Sequence, residues 1–187
     1  SSGPPPRPVA SAGTDTTTTD SGGPVAQRSA AERAYLAGFP LVTTVRTMQT
    51  FAGITGINKL LRVPRLSNAG TKLVVAPNHD TMYALAVLDL RGGPQALTVP
   101  TIDRYHTFQF IDAGMQTIAN VGTRATGGKA GTWVVLPPGY EGAVPKDLHT
   151  IESPTNQVFV LGRIRAVDDA DAAQAMKDSD GLKLEPL

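Results

Sequence analysis

The chain has 187 residues, of which 41% are hydrophobic and 18% charged, a balance typical of a folded domain rather than of a wholly disordered protein. Seventeen basic residues stand against 16 acidic ones, so no bulk charge attracts nucleic acid or an anionic membrane surface. No apolar run reaches the roughly 18 residues of a membrane-spanning helix. The absence of cysteine excludes disulfides, thiolate metal sites and cysteine nucleophiles.

Residues 1–27 are mostly Ser, Gly, Pro, Thr, Asp and Ala, and offer little surface to bury. We therefore expect a disordered, low-complexity tether ahead of a single globular domain over residues 28–187. Two origins of the tether stay open. It resembles the spacer behind the lipid-modified cysteine of a bacterial lipoprotein, or it is an ordinary extension. The first origin predicts an extracytoplasmic protein, secreted or held at the cell envelope by a lipid anchor, and the sequence leaves its oligomeric state open.

A helix is predicted to begin at Ser29, because Ser29 and Glu32 have the spacing of a capping box. Apolar residues at steps of three and four predict one buried face, formed by Tyr35, Phe39, Val42, Val45 and Met48. Pro40 is expected to bend or split this helix, because its ring clashes with the preceding turn and it has no amide hydrogen. A second helical segment is predicted over Thr55–Leu61, before Pro64.

From Lys72 onward, short apolar runs alternate with Pro, Gly, Asn and Asp, which indicates antiparallel β structure. Seven strands are predicted, at Lys72–Ala76, Thr81–Leu90, Ala96–Val99, Arg104–Asp112, Ile118–Thr123, Gly131–Leu136 and Gln157–Arg165. A short terminal helix is expected near Asp171–Lys177, capped by Asp168 or Asp169. The predicted fold is mainly β: an antiparallel β-sandwich or jelly-roll-like domain with an N-terminal helix and a short C-terminal helix.

Charge divides unevenly along this domain. Residues 31–165 hold 13 basic and 8 acidic residues, whereas residues 166–187 hold 2 basic and 6 acidic ones. The acidic tail either lies on the basic body or forms a solvated helix. The solvated helix is favoured, because exposed ion pairs contribute only ~0–1 kcal/mol.

One polar cluster lies where a predicted strand ends and the next begins. It consists of Asn78, His79, Asp80, Thr81 and Tyr83. Asn and Asp at such a corner commonly hydrogen-bond the local backbone, so an Asx-type turn is one interpretation. The functional alternative makes Asp80 a carboxylate at a pocket mouth, with His79 as a proton acceptor or ligand.

A second cluster lies on the predicted strand Arg104–Asp112. Alternation places Arg104, His106 and Asp112 on one face with two phenylalanines, and Tyr105 and Gln109 on the other face. Buried ionisable groups must be paired, because an unpaired buried charge costs several kcal/mol. Either structural ion pairs join Arg104, Arg124 and Arg163 to Asp80, Asp89 and Asp112, or an arginine binds a ligand's carboxylate or phosphate.

The three histidines, His79, His106 and His149, lack the spacing that places two imidazoles on one strand or helix face. No metal site or cofactor is therefore predicted from spacing. A mixed site of His79, His106, Asp80 and Asp112, drawn from different strands, stays open as the metal version of an enzyme.

An ordered series of motifs after the tether resembles the family numbered 1254 among the domains of unknown function. The series includes Phe39-Pro40-Leu41-Val42, Pro77-Asn78-His79-Asp80-Thr81-Met82-Tyr83, Gln109-Phe110-Ile111-Asp112, Gly122-Thr123-Arg124, Pro137-Pro138-Gly139-Tyr140, Leu161-Gly162-Arg163 and Leu184-Glu185-Pro186-Leu187. The resemblance implies a sandwich-like domain with an N-terminal helix. A domain of the family numbered 1214 often follows it, so this chain is expected to be either a stand-alone version or a piece that stops at the domain boundary.

The resemblance implies no settled activity, and two departures from the family pattern bear on a site. Ala84 stands where the family usually has a serine, which removes any nucleophile there. Gly114-Met115-Gln116-Thr117-Ile118 stands where the family often has Tyr-Thr-Asn-Asn-Phe, which predicts a wider or differently shaped pocket.

Three functions are consistent with these residues. The first is binding of a small polar or anionic ligand, through Asn78, Asp80, Thr81, Tyr83, Arg104, Tyr105, Gln109, Asp112 and Arg124. The second is an enzyme in which Asp80 or Asp112 acts as general base with His79 or His106. The third is a structural or protein-interaction module.

Overall fold

The computed structural model describes residues 28–68, 70–71 and 77–187. The predicted tether over residues 1–27 and the predicted strand Lys72–Ala76 lie outside the described residues, so both stay predictions. Leu36–Leu187 form one compact unit. Within the described ranges, no helix combines the length and the hydropathy needed to cross a bilayer.

The first helix, α1, spans Ala30–Thr55 and begins as predicted. The Ser29 amide donates to Glu32 Oε2 at 2.8 Å, and the Glu32 amide donates to Ser29 Oγ at 3.2 Å, which is the reciprocal pairing of a capping box. The hydrogen bond from the Ser29 backbone amide also holds the pKa of Glu32 below its ordinary value. The expected split at Pro40 is wrong, because α1 continues through it.

The predicted buried face of α1 is partly wrong. Tyr35, Phe39 and Val42 are exposed by 66%, 51% and 49%, whereas α1 buries Thr44, Met48 and Phe51. A regular apolar spacing shows which residues share a helix face, but not how far along the helix a neighbouring element extends to cover them.

The predicted helical segment Thr55–Leu61 is also wrong. Gly56 has a φ of +80°, which ends α1, and Asn58 has a φ of +54°. The Asn58 side chain hydrogen-bonds both backbone groups of Asp89, donating to its carbonyl at 3.0 Å and accepting from its amide at 2.8 Å. These two bonds attach Asn58 to the strand that contains Asp89, so the segment after Gly56 does not form a helix.

Nine strands and a second helix follow α1 in the part of the chain that the structure describes. They are β1 Leu61–Arg62, β2 Thr81–Asp89, β3 Gln95–Val99, β4 His106–Asp112, β5 Thr117–Gly122, β6 Gly131–Leu136, β7 His149–Glu152, β8 Gln157–Arg165, α2 Asp169–Asp178 and β9 Lys183–Pro186. The six predicted strands that fall on described residues are confirmed, with ends shifted by at most two residues. The short strands β1, β7 and β9 were not predicted.

The strands form two sheets, which confirms the mainly β, sandwich-like prediction. One sheet has five strands in the order β1-β2-β8-β4-β5, and the other has four in the order β7-β6-β3-β9. β6 and β7 are parallel, and all other pairs are antiparallel. The core contains inward residues of both sheets, such as Phe108, Phe110 and Val160 from one and Leu97 and Trp133 from the other.

The outer face of the five-stranded sheet has its own apolar cluster. Leu85 and Val87 of β2 pack with Met48 and Phe51 of α1, and Phe159 borders this group. β8 therefore carries apolar side chains on both faces, with Val158, Val160 and Ile164 inward. α1 covers the outer side of this strand in part, so that Phe159 and Leu161 are partly buried.

α2 lies against the body of the sandwich, so the favoured prediction of a solvated terminal helix is wrong. Ala172 and Ala175 are buried in the core. Arg104 pairs with Asp171 at 2.8 Å and with Asp178 at 2.7 Å, and Asp168 caps the helix by accepting from the Asp171 amide. Apolar burial of the alanine face, which the charge count did not reveal, orders the helix and brings its carboxylates to Arg104.

These contacts alter the acidity of both carboxylates. The Val167 amide, and then Arg104, hold the pKa of Asp171 below its ordinary value. The Gln174 side-chain amide, and then Arg104, do the same to the pKa of Asp178. Both groups are therefore ionised in the fold at neutral pH and stabilise it in that form.

Candidate functional site

A half-enclosed cavity of about 560 Å³ lies between α1 and the outer face of the five-stranded sheet. Its volume falls within the roughly 300–1,000 Å³ of pockets that hold small molecules. Three sets of residues form its walls. α1 and the three strands β2, β4 and β8 contribute Phe39, Pro40, Thr43, Thr44, Thr47, Met48, Phe51, Tyr83, Leu85, Ile111, Phe159, Leu161 and Arg163, and the connecting segments contribute Val63, Ser67, Thr71, Pro77 and Met115.

Most of this wall is apolar, although α1 contributes three threonines to it. The Thr44 hydroxyl donates to the Pro40 carbonyl at 2.7 Å, and the Thr47 hydroxyl donates to the Thr43 carbonyl at 2.9 Å. Backbone carbonyls one turn earlier thus satisfy these hydroxyl hydrogens. The Thr43 hydroxyl has no such bond among the described residues, so the helix side of the cavity offers an occupant one unbonded hydroxyl in an otherwise mainly apolar wall.

The strand side is graded from polar to apolar. In the register of β2, β8 and β4, Tyr83 lies opposite Arg163, and Arg163 lies opposite Thr107. Four residues back along β8, Phe159 lies between Val87 and Ile111. At about 3.3 Å per residue, these two rows lie about 13 Å apart.

The apolar end of the gradient is closed by aromatic packing. Phe51 of α1 meets Phe159 with ring centroids 5.0 Å apart. The polar end is formed by the Tyr83 hydroxyl and the Arg163 guanidinium. Arg163 is the one charged residue among the described residues that line the cavity.

Of the ligand-binding residues predicted from the sequence, Tyr83 alone lines this cavity. Its hydroxyl accepts a hydrogen bond from the Asn78 amide at 2.7 Å, which joins two of the predicted residues. His79 and Asp80 are exposed, and the Asp80 carbonyl accepts from the Ala166 amide at 2.9 Å. Thr81 is buried, and its hydroxyl has no hydrogen-bond partner among the described residues.

Arg104 and His106 lie at the start of β4. Arg104 is held by two carboxylates of α2 and also donates to the Arg165 carbonyl at 3.0 Å. His106 is 1% exposed, and its Nδ1 lies 2.9 Å from the Arg104 carbonyl, so Nδ1 carries the hydrogen. His106 Nε2 is buried and has no hydrogen-bond partner in the described part of the chain.

Asp112 lies at the opposite end of β4 from His106, six residues or about 20 Å away. Its Oδ1 accepts from the amides of Gly114 and Gln116, both at 2.8 Å, and so orders the turn into β5. Gln109, on the outer face of β4, donates to the Thr117 hydroxyl at 2.7 Å. Across residues 28–68, 70–71 and 77–187, no three His, Asp or Glu side chains form a cluster that could hold a metal ion.

The remaining predicted residues, Tyr105 and Arg124, form a separate surface pair. The Arg124 guanidinium lies over the Tyr105 ring, 5.5 Å from its centroid, a cation–π arrangement. None of the predicted ion pairs of Arg104, Arg124 and Arg163 with Asp80, Asp89 and Asp112 is found in the described structure. Asp89 pairs with Arg91, and that hydrogen-bonded contact lowers the pKa of Asp89.

Sequence reasoning missed the cavity because it searched for clustered polarity. One signal pointed to it: Phe159 and Leu161 lie on the opposite face of the strand Gln157–Arg165 from the buried Val158, Val160 and Ile164, so this outer face needed a cover, which the N-terminal helix supplies. Arg163 follows Leu161 on that outer face. Of the two arginines of this strand, Arg163 lines the cavity and Arg165 does not.

Comparisons with known proteins agree with this architecture. A family model described as protein of unknown function, DUF1254, matches residues 57–186. The VPA0106 protein of Vibrio parahaemolyticus has a similar crystal structure, with 26% identity and a TM-score of 0.69 over 83% of this chain and 37% of that one. An uncharacterized protein from Burkholderia cenocepacia matches with a TM-score of 0.44 and 9% identity, over 64% of this chain and 35% of that one.

This chain therefore spans little more than a third of the length of either solved structure. No curated protein matches it. The family match covers well over half of the chain and confirms the resemblance seen in its motifs. The chain belongs to the DUF1254 family of proteins of unknown function.

Proposed function

We propose that this domain binds a small molecule with a mainly apolar body, in the cavity between α1 and the outer face of the five-stranded sheet. The observation that carries the proposal is the cavity of about 560 Å³ with apolar walls. An occupant removes those walls from water, and each buried methylene contributes about 0.8 kcal/mol. Placement between two rigid elements is also typical of small-molecule sites.

Affinity in this cavity would come from other interactions than the hydrogen bonds and ion pairs of a polar site. The hydroxyls of Thr44 and Thr47 are already bonded to the helix backbone, so shape and apolar contact carry the affinity. Met48, Phe51 and Leu161 supply those contacts. Methionine adapts to occupants of varied shape, and the aromatic ring supplies a large apolar contact area.

Binding is tested with a neutral fluorescent probe, N-phenyl-1-naphthylamine, which brightens in apolar surroundings. Thr47→Trp fills the cavity from the helix side, and we expect it to weaken probe binding by at least about tenfold, because the added ring takes the probe's space. Thr50→Trp is the matched control. Thr50 is exposed on the same helix, makes the same bond to the carbonyl four residues earlier, and does not line the cavity.

Saturable binding of one probe per chain by the unmodified protein and by Thr50→Trp, with loss in Thr47→Trp, supports the proposal. Circular dichroism of both variants checks that they fold. The proposal is contradicted if the unmodified protein shows no saturable binding, or if both tryptophan variants bind as well as the unmodified protein does.

We further propose that the domain works outside the cytoplasm, tethered to the cell envelope. The support is the small, polar composition of residues 1–27, which is similar to that of lipoprotein spacers. Protease treatment of intact spheroplasts of the native host is the test. Degradation by added protease agrees with the proposal, and full protection until lysis contradicts it.

A further inference from the structure

The Arg163 guanidinium has no hydrogen-bonded or ion-paired partner among the described residues. Arg163 lines an otherwise apolar cavity and is half-buried, and no described residue forms an ion pair or hydrogen bond with its side chain. A charge next to apolar walls is costly when nothing neutralises it. By contrast, Arg104 on the neighbouring strand's end is held by two carboxylates.

Tyr83 adds a second donor at the same place. It lies directly opposite Arg163 in the register of β2 and β8, so the two side chains are neighbours on one sheet face. The Tyr83 oxygen accepts from the Asn78 amide, and its own hydrogen has no acceptor among the described residues. A guanidinium and a phenolic O–H therefore both present hydrogens at one end of the cavity.

The opposite end is formed by aromatic and aliphatic side chains of the described residues. Phe159, Phe51 and Ile111 lie about 13 Å from the Arg163 row along β8. No acidic side chain occurs among the described lining residues to compete for the guanidinium. The cavity is thus cationic and hydrogen-donating at one end and aromatic at the other.

We infer that the occupant is a single-tailed amphiphile with an anionic head, a carboxylate or a phosphate monoester. Its head binds Arg163 and Tyr83, and its tail extends along β8 toward Phe159 and Phe51. This inference rests on the proposed function, because it names the chemical class that the same cavity accepts. Arginine suits both heads, since its planar guanidinium donates two parallel hydrogen bonds to either.

The test compares three ligands with the same tail: dodecanoic acid, dodecyl phosphate and 1-dodecanol, the two anions below their micelle concentrations and the alcohol below its solubility limit. Affinity is measured by displacement of N-phenyl-1-naphthylamine. We expect at least one anion to bind about 10- to 100-fold more tightly than the alcohol, because hydrogen bonds to charged groups are the strong ones. The anion that binds more tightly identifies the natural head group.

Arg163→Met keeps an apolar stem and removes the charge. We expect it to reduce the anion's affinity to that of the alcohol and to leave the alcohol's affinity within twofold. Arg165→Met is the control, because Arg165 lies two residues further on the same strand, is exposed, and does not line the cavity. Tyr83→Phe should reduce the preference for the anion by a smaller factor.

The outcomes separate this inference from the proposed function. If the alcohol and the anions bind equally, and Arg163→Met changes neither, the anionic head is ruled out while apolar binding stands. If none of the three ligands displaces the bound probe, the inferred class of occupant is overturned, while saturable probe binding that Thr47→Trp abolishes still supports the proposed function. If Arg163→Met and Arg165→Met weaken anion binding equally, general charge attraction explains the preference and the site assignment is overturned.

Discussion

The two faces of the five-stranded sheet are built from the same strands but have different roles. The inner face places Phe108, Phe110 and Val160 against the second sheet, with these side chains fully buried. The outer face carries Phe159 and Leu161 on the same β8 strand, only partly buried beneath α1. The inner face thus holds the fold together, whereas the outer face keeps apolar surface that an occupant can bury.

The two arginines near the ends of these strands repeat the contrast. Arg104 is 18% exposed and bonded to Asp171, Asp178 and a backbone carbonyl, so its charge is used in folding. Arg163 faces the cavity without a bonded partner among the described residues. A charge with its partners belongs to the structure, and one without them is available to a ligand.

The largest effect should come from truncating matched phenylalanines on the two faces. Phe110→Ala should lower the free energy of unfolding by about 3–5 kcal/mol, because Phe110 is fully buried between the sheets. Phe159→Ala should cost only about 1–2 kcal/mol, because its side chain is half-buried and already borders a cavity. Urea unfolding measures both, and equal losses would show that the outer face is packed as tightly as the inner one.

The next effect separates the two arginines. Arg104→Met should cost about 1–3 kcal/mol, because two carboxylates lose their hydrogen-bond donor. Arg163→Met should change the stability by no more than about 0.5 kcal/mol, since no described bond is lost. Thermal unfolding of both variants without ligand decides the point. A large loss in Arg163→Met would mean that Arg163 has a structural partner.

Acid should weaken α2 before it affects the cavity. The pKa values of Asp171 and Asp178 are lowered in the fold, so their stabilisation is complete above the ordinary carboxyl pKa of about 4 and is lost as pH falls through the lowered values. The double variant Asp171→Asn, Asp178→Asn should therefore show a flatter fall in melting temperature below about pH 4 than the unmodified protein. Asp180→Asn, which alters an exposed carboxylate, is the control.

The smallest effect concerns the length of the occupant. Each methylene added to the tail of a bound acid should improve affinity about fourfold, from about 0.8 kcal/mol per buried methylene, until the tail reaches the aromatic end. Displacement titrations from hexanoic to hexadecanoic acid give the series. Affinity that does not change with tail length would contradict burial beneath α1.

Much of the fold was predictable because its signals are local. Ser29 and Glu32 cap α1, and the strand Gln157–Arg165 was placed with both ends right. The short strands β1, β7 and β9 were missed because two to four residues carry no periodicity, and tertiary pairing creates them. The packing of α2 depends on Ala172 and Ala175 finding the core, which no local pattern shows.

The candidate site was less predictable, because polarity along the sequence does not report proximity in space. His106 and Asp112 lie on one face of β4 but at its two ends. The Arg104 guanidinium is hydrogen-bonded to Asp171 and Asp178, which follow it in the sequence by 67 and 74 positions. Tyr83 was found because it lies in a polar cluster. Arg163 was one of three arginines predicted either to pair with a carboxylate or to bind an anionic ligand, but its place beside Tyr83 in this cavity becomes visible only with the pairing of β2, β8 and β4.

The most direct measurement is a crystal structure of the protein with a dodecanoic acid brominated at its terminal carbon. Anomalous scattering locates the bromine independently of the rest of the ligand. The bromine should lie beneath α1 beside Phe51 and Phe159, with the carboxylate within hydrogen-bond distance of Arg163 and Tyr83. Bromine at the Arg163 end, or an empty cavity with the acid bound elsewhere, would contradict the account.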